Sequence, residues 1–471
     1  MKRGTVVAIV GATTLALLTS TYVVANIFDR VPGVLTLTKV ASPTPAAELP
    51  RAELSAGSQM VASAGNPLTS ADLQDAWQRL AAAAAAGLDG TTTGETPDHW
   101  TSWALVTDLE SGEVLLNEGG DEVHTPASIT KVLAAFTALS HLDPASRLST
   151  GVAAQDGALY LWGEGDLLLG AEHGDASATA GHAGLADLAT QVVHTLNSEG
   201  RTSVTLHPAQ PLSAGPAYVS AWMHQGNAHY EGRVAAYAFD SGKINGEITA
   251  YYNDPVGVVS ERFAEHLRAA GISVDIAEAS AVPPTAKEIG RIQSATVAQQ
   301  LRYMLRHSDN TMADQYCQLA AKAAGREVSY RGATELVANT LKDAGIPTAG
   351  LVLDDCSGLS ENNRISGNTL VSTLVTALSD GKAATAELVR SLPWAGGEGT
   401  LHDRMTAAAT AGNVQAKTGA LGLTSTLTGV VSTSSGRVLV YAVGNDNVIN
   451  NSGWATRRHI DAFVSALAAL P

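Results

Sequence analysis

Several features that would mark common protein classes are missing from this 471-residue sequence. Lysine and arginine form no extended cluster and the net charge is −16, so the basic surface that nucleic-acid binding requires is absent. None of the 13 histidines belongs to a recognised zinc-binding pattern such as His-Glu-x-x-His. The two cysteines have no histidine nearby in a setting that would activate a thiol. The composition therefore argues against nucleic acid as a partner and against zinc or thiol chemistry.

Lysine is scarce, because the 29 basic residues comprise 20 Arg and only 9 Lys. Arginine stays protonated at any useful pH, whereas a desolvated lysine can lose its proton and act as a base. Lys131 lies in an apolar helical stretch, and Lys417 lies beside Val414, Ala416 and Gly419. Such surroundings suit surface charge poorly, so we expect Lys131 and Lys417 to serve the chemistry of a site.

A serine and a lysine three residues apart begin an apolar helix at Ser128-Ile129-Thr130-Lys131. Helical spacing of i and i+3 places the two side chains on one face, within hydrogen-bond reach. The apolar residues recur with the same period and are Ile129, Val132, Leu133, Phe136 and Leu139. A rival pair, Ser379-Asp380-Gly381-Lys382, ends a predicted helix 369–379 and has a glycine just past its terminus. Ser128 is therefore the candidate nucleophile, with Lys131 as its base.

A second polar motif, Ser308-Asp309-Asn310, joins two predicted helices at 296–306 and 311–324. At such a break, short polar side chains can project into a cleft. The same Ser-x-Asn pattern occurs at Ser360-Glu361-Asn362 and Ser366-Gly367-Asn368, in a Gly- and Asn-rich loop where turn formation explains it. We therefore expect Ser308 and Asn310, rather than their rivals, to contribute to the site.

A third motif, Lys417-Thr418-Gly419, precedes a predicted strand at 424–432. In this order the three motifs describe a serine acyl-transfer site. They supply a nucleophile with its amine base, a polar proton shuttle, and a strand that holds the substrate and its developing oxyanion.

Strands are predicted at both ends of the chain, with helices between them. The expected elements are a helix 71–86 capped by Ser70, strands 103–107 and 113–116, strands 424–432 and 437–443, and a closing helix 455–470. One antiparallel sheet flanked by helices and completed by both ends of a single domain would account for this order. The predicted class is α+β.

The stretch 132–307 between the first two motifs is far longer than one catalytic core needs. We therefore predict an inserted domain at 150–289, within a catalytic domain formed by 69–149 and 290–471. The elements expected in the insertion are helices 184–198 and 256–270 and strands 203–206 and 272–276.

The N-terminus combines Met1-Lys2-Arg3 with an uncharged run, 4–28. Residues 1–30 are therefore predicted to be a signal peptide or membrane anchor, with the bulk of the protein outside the cytoplasm in the cell envelope. The run is long enough to span a bilayer and its best cleavage site follows Ala25, so anchoring and cleavage both stay open. The Pro-, Ala- and Ser-containing segment 31–68 is predicted to be an extended linker.

Two cysteines outside the cytoplasm can form a disulfide. Cys317 lies in the helix after the second motif, and Cys356 lies in a loop. A bond between them would tie that helix to the loop. The alternative is a buried thiol at Cys317 and an unrelated Cys356.

The three motifs, the long insertion and three further segments together carry a family resemblance. The segments are Leu159–Asp166, Asp355–Ser360 and Gly399–Arg404. Over roughly residues 70–465 the chain resembles the D-alanyl-D-alanine carboxypeptidase/endopeptidase family, the low-molecular-mass class C penicillin-binding proteins. It departs from the family pattern at Cys356, where glycine is common, and at Ala420, where a hydroxyl residue is common.

The resemblance implies a penicillin-binding-protein or β-lactamase-like fold and a serine peptidase. Such an enzyme trims or uncrosslinks peptidoglycan stem peptides ending in D-Ala-D-Ala, is inhibited by β-lactams and needs no metal or cofactor. Two alternatives stay open: a β-lactamase or esterase of the same fold, and a catalytically silent wall-binding protein. The length of the insertion argues against the first, and the two lysines argue against the second.

The resemblance also implies roles for the motif residues. Ser128 would attack the D-Ala-D-Xaa carbonyl while Lys131 accepts its proton, and Ser308 with Lys417 would pass a proton to the leaving amine. Asn310 would bind the substrate amide. The substrate-binding strand comprises Thr418, Gly419 and Ala420, with the backbone N–H groups of Ser128 and Ala420 as the oxyanion hole.

Overall fold

The computed structural model describes residues 68–87, 100–448 and 453–471. The predicted signal peptide or anchor, 1–30, lies outside the described residues, as does the predicted linker apart from its last residue. No helix in the described part of the chain is long and apolar enough to cross a membrane.

The described residues form strands and α-helices, each numbered in chain order. The strands are β1 (Thr101–Asp108), β2 (Val114–Glu118), β3 (Val123–His124), β4 (Arg147–Gln155), β5 (Ala158–Gly163), β6 (Asp166–Leu169), β7 (Ser203–His207), β8 (Tyr237–Phe239), β9 (Lys243–Ile244), β10 (Glu247–Tyr251), β11 (Ser273–Ile276), β12 (Lys287–Thr296), β13 (Ile365–Ser366), β14 (Val414–Leu421), β15 (Thr424–Ser432) and β16 (Val438–Asp446). The α-helices are α1 (Ser70–Ala86), α2 (Lys131–His141), α3 (Leu185–Ser198), α4 (Ser220–Gln225), α5 (Pro255–Ala269), α6 (Val297–His307), α7 (Asn310–Ala323), α8 (Tyr330–Asp343), α9 (Gly367–Ser379), α10 (Ala383–Arg390) and α11 (Arg457–Ala468).

A five-stranded antiparallel sheet with the order β14-β15-β16-β1-β2 unites the two ends of the described chain. Successive side chains of a strand point to opposite faces. In β16, Tyr441 and Val443 therefore pack towards α1 and α11, whereas Val440 and Ala442 pack towards α2, α7 and α9. The sheet thus lies between two layers of helices, and the α+β prediction is confirmed.

The predicted boundaries lie close to those observed. The strand 424–432 coincides with β15, and the helix expected at 71–86 is α1, which begins one residue earlier. Its cap is Thr69 rather than the expected Ser70, because the Asp72 carboxylate accepts hydrogen bonds from the backbone N–H and the hydroxyl of Thr69. The Asp72 carboxylate thereby satisfies the Thr69 N–H at the start of the helix.

A second five-stranded sheet, with the order β11-β7-β5-β4-β12, contains both parallel and antiparallel pairs. It packs against α3 and α5 around a separate hydrophobic cluster that includes Leu161, Leu188 and Phe263. The predicted helices 184–198 and 256–270 correspond to α3 and α5. The strands β4, β5 and β12 were not predicted from the sequence. The domain boundaries at 150 and 289 stay a prediction.

Candidate active site

The sequence context of Ser128 predicts an α-helix, but in the structure Ser128 lies just before one. It belongs to a 3₁₀ turn, Ala127–Thr130, and α2 begins only at Lys131. A 3₁₀ turn has three residues per turn, so side chains at i and i+3 lie directly above one another. Nζ of Lys131 accordingly donates a hydrogen bond of 3.0 Å to Oγ of Ser128.

Lys131 has two further hydrogen-bond acceptors. Its Nζ lies 2.7 Å from Oδ1 of Asn310 and 2.6 Å from the carbonyl oxygen of Ser357. With Ser128 these acceptors match the three donors of an ammonium group. The side chain is fully buried. The structure therefore holds the Lys131 nitrogen from three separate segments of the chain.

Burial lowers the pKa of Lys131 to about 8, because desolvation disfavours the charged form. Nearby carboxyls oppose this shift, led by Glu231 and Asp314. Burial and then repulsion from Asp355, however, raise the pKa of Asp314 to about 8, and burial and then repulsion from Asp314 raise the pKa of Glu231 well above its ordinary value. When these two acids are protonated they no longer favour an ammonium at Lys131, so a fraction of Lys131 can be neutral near physiological pH.

Ser308 and Lys417 form a second pair. Ser308 ends α6 in the left-handed conformation, with φ of 53°. Nζ of the fully buried Lys417 lies 2.8 Å from Oγ of Ser308 and 2.8 Å from the carbonyl oxygen of Thr418. Burial, and then the positive charges of Lys131 and Arg404, lower the pKa of Lys417 well below its ordinary value. This pair can therefore exchange a proton with a neighbouring group.

Asn310 is the first residue of α7 and links Lys131 to the backbone of Tyr230. Its Oδ1 accepts from Lys131, and its Nδ2 donates to the carbonyl oxygen of Tyr230 at 2.9 Å. Asp309 caps the same helix, because its Oδ1 accepts from the backbone N–H of Met312 at 3.0 Å. The polar motif thus lies at the break between α6 and α7, as the spacing predicts.

The third motif lies on β14, at the edge of the central sheet. Oγ1 of Thr418 donates a hydrogen bond of 3.0 Å to Oγ1 of Thr400. A Cβ atom on Gly419 would collide with Oγ1 of Thr426 and approach the carbonyl oxygen of Pro126, so only glycine allows β14 to pack against the turn that carries Ser128. Ala420 is exposed on the same strand.

The rival motifs lie in other surroundings. Ser379 is exposed at the end of α9, where its hydroxyl donates to the Val375 carbonyl at 2.8 Å. Ser360 is buried and donates to Asp354 at 2.7 Å, and Ser366 caps α9 through the backbone N–H of Thr369. Each of these contacts is local, which is typical of a structural role.

Cys317 and Cys356 are joined by a disulfide, with a Cα–Cα distance of 6.5 Å. Both residues are buried. The backbone N–H of Cys356 also donates to Oδ1 of Asp314 at 2.8 Å. The next residue is Ser357, whose carbonyl accepts from Lys131. The disulfide therefore ties α7 to the loop that contacts Lys131.

Sequence reasoning missed Glu231 and Asp314, whose carboxyls influence Lys131 from a distance in the chain, and gave no role to Ser357, although it singled out the segment Asp355–Ser360. It also missed Lys243, whose side chain lies against Asp309. The scarcity of lysine could have identified Lys243, whereas no pattern in the sequence marks Glu231 or Asp314.

The family model of D-Ala-D-Ala carboxypeptidase 3, family S13, matches residues 88–254 and 245–469 of this chain. The chain belongs to this family.

Two curated relatives and a solved structure agree with that membership. Carboxypeptidase DacB of Mycolicibacterium smegmatis is 34% identical over 388 residues, covering 79% of this chain and 81% of that protein. D-alanyl-D-alanine carboxypeptidase of Actinomadura sp. is 27% identical over 455 residues, covering 78% and 81%. Penicillin-binding protein 4 of Haemophilus influenzae, also solved in complex with a β-lactam, shares the fold with a TM-score of 0.65 at 18% identity, covering 84% of this chain and 98% of its own.

Membership of the S13 family confirms the predicted enzyme class, a serine-type D-Ala-D-Ala carboxypeptidase of the penicillin-binding type that acts on peptidoglycan. Because peptidoglycan lies outside the cytoplasm, the S13 enzyme acts there. The predicted signal peptide or anchor at 4–28 lies outside the described residues and stays a prediction.

Proposed function

We propose that this S13 enzyme cleaves the D-Ala-D-Xaa bond of peptidoglycan stem peptides through an acyl-enzyme on Ser128. One observation carries the proposal: two buried lysines with lowered pKa each lie within hydrogen-bond distance of a serine hydroxyl, Lys131 at Ser128 and Lys417 at Ser308. An activated nucleophile needs such an adjacent base.

In the acylation step, neutral Lys131 accepts the proton of the Ser128 hydroxyl as the serine oxygen bonds to the substrate carbonyl carbon. The backbone N–H groups of Ser128 and Ala420 stabilise the oxyanion, each contributing on the order of 3 kcal/mol. The C–N bond then breaks, and Ser308 with Lys417 relays the proton held by Lys131 to the leaving amine, which leaves Lys131 neutral again. The stem peptide stays esterified to Ser128.

In deacylation, water adds to the ester carbonyl and Lys131 accepts its proton. The Ser128–carbon bond breaks, the serine oxygen recovers a proton, and the shortened stem peptide leaves with a new carboxylate. Each group then returns to its starting protonation state, so the cycle consumes one water and no other reactant.

Substrate orientation in this proposal depends on β14 and Asn310. Asn310 binds the substrate amide, and Thr418 with the positive charge of Lys417 receives the terminal carboxylate. Gly419 lets the strand approach the Ser128 turn closely. The same site would hydrolyse a cross-linked D-Ala-D-Xaa bond, which is endopeptidase action, and would be acylated by β-lactams.

We further propose that residues 4–28 either anchor the protein in the membrane or act as a cleaved signal, and that 31–68 links them to the enzyme. The uncharged run and its basic N-terminal flank support this proposal. We also propose the inserted domain at 150–289, which the separate sheet and hydrophobic cluster support.

The test uses the purified full-length protein, a fluorescent penicillin and a peptide ending in D-Ala-D-Ala. A long-lived penicillin adduct together with D-Ala release supports the carboxypeptidase, and Ser128→Ala should abolish both. Ser379→Ala is the matched control and should change neither. Rapid penicillin turnover would indicate a β-lactamase instead, and an unlabelled protein would indicate a catalytically silent one.

A further inference from the structure

Lys243 is a third lysine withdrawn from solvent, besides Lys131 and Lys417. Its side chain is 11% exposed. It lies on β9, within the long stretch 132–307 that separates the first two motifs. It has no contact with the proposed nucleophile among the described hydrogen bonds, so the proposed reaction gives it no direct role.

Lys243 instead forms an ion pair with the middle residue of the second motif. Its Nζ lies 2.5 Å from Oδ2 of Asp309, whose side chain is 2% exposed, and 3.5 Å from Oδ1 of Asp240. The other oxygen of Asp309, Oδ1, caps α7 through Met312. Asp309 therefore contacts both Lys243, which belongs to the predicted insertion, and the first turn of α7, the helix that begins with Asn310.

The backbone around Ser308 needs stabilising contacts. Asp309 lies directly between Ser308 and Asn310, and Ser308 adopts a left-handed φ of 53° that costs free energy in a residue with a Cβ. Such a conformation persists when surrounding contacts determine it. A buried ion pair on the adjacent residue provides one, and removal of either partner would leave an uncompensated buried charge.

The same part of the chain approaches α7 through several neutral hydrogen bonds. The Tyr230 carbonyl accepts from Asn310, the Gly232 N–H donates to Oγ1 of Thr311 at 2.9 Å, and Gln315 exchanges two hydrogen bonds with the backbone of Ala235 at 2.8 and 3.1 Å. Residues 230–235 thus follow the first turns of α7. The Lys243–Asp309 pair adds a charged contact at the start of that helix.

We propose that Lys243 is a positioning residue for acylation: by neutralising Asp309 it holds the backbone that presents Ser308 to Lys417 and Asn310 to Lys131. The inference deepens the proposed function and rests on the acyl-enzyme mechanism. It makes the stretch between the first two motifs part of the catalytic apparatus.

The ionisable groups that face this pair come from three directions. Asp240 lies in the turn before β9 and Tyr251 ends β10. Tyr303 and His307 lie on α6, and Lys131 and Glu231 lie on the active-site side. Burial opposes the charge of Lys243, yet Asp309 and Asp240 raise its pKa above its ordinary value. Burial likewise opposes the charge of Asp309, and Lys243 lowers its pKa. Burial lowers the pKa of His307, which favours its neutral form.

The ion pair also has an electrostatic consequence at the base. The carboxylate of Asp309 raises the pKa of Lys131. The acid limb of the acylation rate is the part of its pH profile where the rate falls as Lys131 becomes protonated. Without Lys243 the Asp309 carboxylate would be uncompensated, so this limb should move to higher pH. Without the carboxylate the limb should move to lower pH. Loss of both groups should return the limb towards its original position.

The experiment measures the second-order rate of acylation by fluorescent penicillin against pH in the full chain, for Lys243→Gln, Asp309→Asn, the double variant and Lys243→Arg. Lys243→Gln should slow acylation by about tenfold or more, because one partner of a buried pair is left alone. Lys243→Arg should restore most of the rate, and the double variant should be less impaired than Lys243→Gln. Lys287→Gln is the control, since Lys287 is exposed at the start of β12.

Each outcome decides between alternatives. A wild-type chain that is not labelled would refute the proposed function itself. A labelled wild type with unchanged rate and pH profile in Lys243→Gln would overturn the positioning role, as would a lower melting temperature with no movement of the acid limb. If Lys243→Gln does not fold, the other two variants test the inference. It is supported if the acid limb of the acylation rate moves to lower pH in Asp309→Asn and returns towards its wild-type position in the double variant. An Asp309→Asn limb that stays in place overturns it.

Discussion

The side-chain nitrogen of Lys131 lies 2.6 Å from the carbonyl oxygen of Ser357, the residue that directly follows a disulfide-bonded cysteine. The same nitrogen reaches Ser128 within the first motif. The base of the proposed reaction is therefore oriented from two sides, by its own turn and by a loop 226 residues away along the chain. Because Cys356 fixes that loop to α7, we expect the disulfide to affect both the stability of the protein and the position of Lys131.

Removal of the disulfide by Cys317→Ala with Cys356→Ala should destabilise the protein by about 4 kcal/mol, the loop-closure entropy of a cross-link between residues this far apart. Their sequence separation is 39. Urea unfolding measures this loss. We also expect slower acylation, because the Ser357 carbonyl would be less well held. Reduced stability with an unchanged acylation rate would confine the disulfide to a structural role.

The acylation rate should rise with pH through about 8 and then level off. Lys131 must be neutral to accept a proton, and below its lowered pKa a rising fraction is protonated, so the rate should fall about tenfold for each further pH unit of acidification. The profile reports the coupled Lys131–Lys417 system in the free enzyme.

Lys131→Arg tests whether the fall of the acylation rate at low pH reports the protonation of Lys131. Arginine stays protonated, so acylation should fall by about 10³-fold at every pH measured. Lys382→Arg, in the exposed rival motif, is the matched control and should leave rate and profile unchanged. A normal rate in Lys131→Arg would contradict the role of Lys131 as base.

Ala420→Thr should improve binding of a peptide with a free C-terminal carboxylate. The added hydroxyl would lie on the same strand as Thr418, and a hydrogen bond to a charged group changes affinity by about tenfold or more. Steady-state hydrolysis of a D-Ala-D-Ala peptide should show a lower KM. Ala420→Val matches the new side chain in shape without the hydroxyl, so an equal gain in that variant would contradict the explanation.

Gly358→Ala should unfold or inactivate the protein. Gly358 has φ of 84°, and an added Cβ would collide with the Ala127 carbonyl at the turn that carries Ser128. We expect a loss of about 3 kcal/mol or more, typical of overpacking against backbone. Gly381→Ala is a matched control with φ of 72° and open space around it, so it should lose only about 1 kcal/mol. Thermal unfolding of both variants distinguishes these outcomes.

The elements that sequence predicts best are those with strong local periodicity. β15 agrees at both ends, and α3 and α5 begin within one residue of their predicted starts. The strands β4, β5 and β12 were missed because their stability comes from pairing with one another and from packing against α3 and α5. The sequence predicts an α-helix where Ser128 lies in a 3₁₀ turn, since both conformations place residues three apart on one face.

The sequence by itself predicts that Ser128 and Lys131 lie on one face, one turn apart, because residues i and i+3 meet in an α-helix and in a 3₁₀ turn alike. It also separated Ser308 from its rivals through local context, and the scarcity of lysine marked Lys131 and Lys417. Only the tertiary structure decided that Lys417 meets Ser308, that Ser357 holds Lys131, and that Lys243 pairs with Asp309. These contacts join segments far apart in the chain, and their distances depend on how sheets and helices pack rather than on any local repeat.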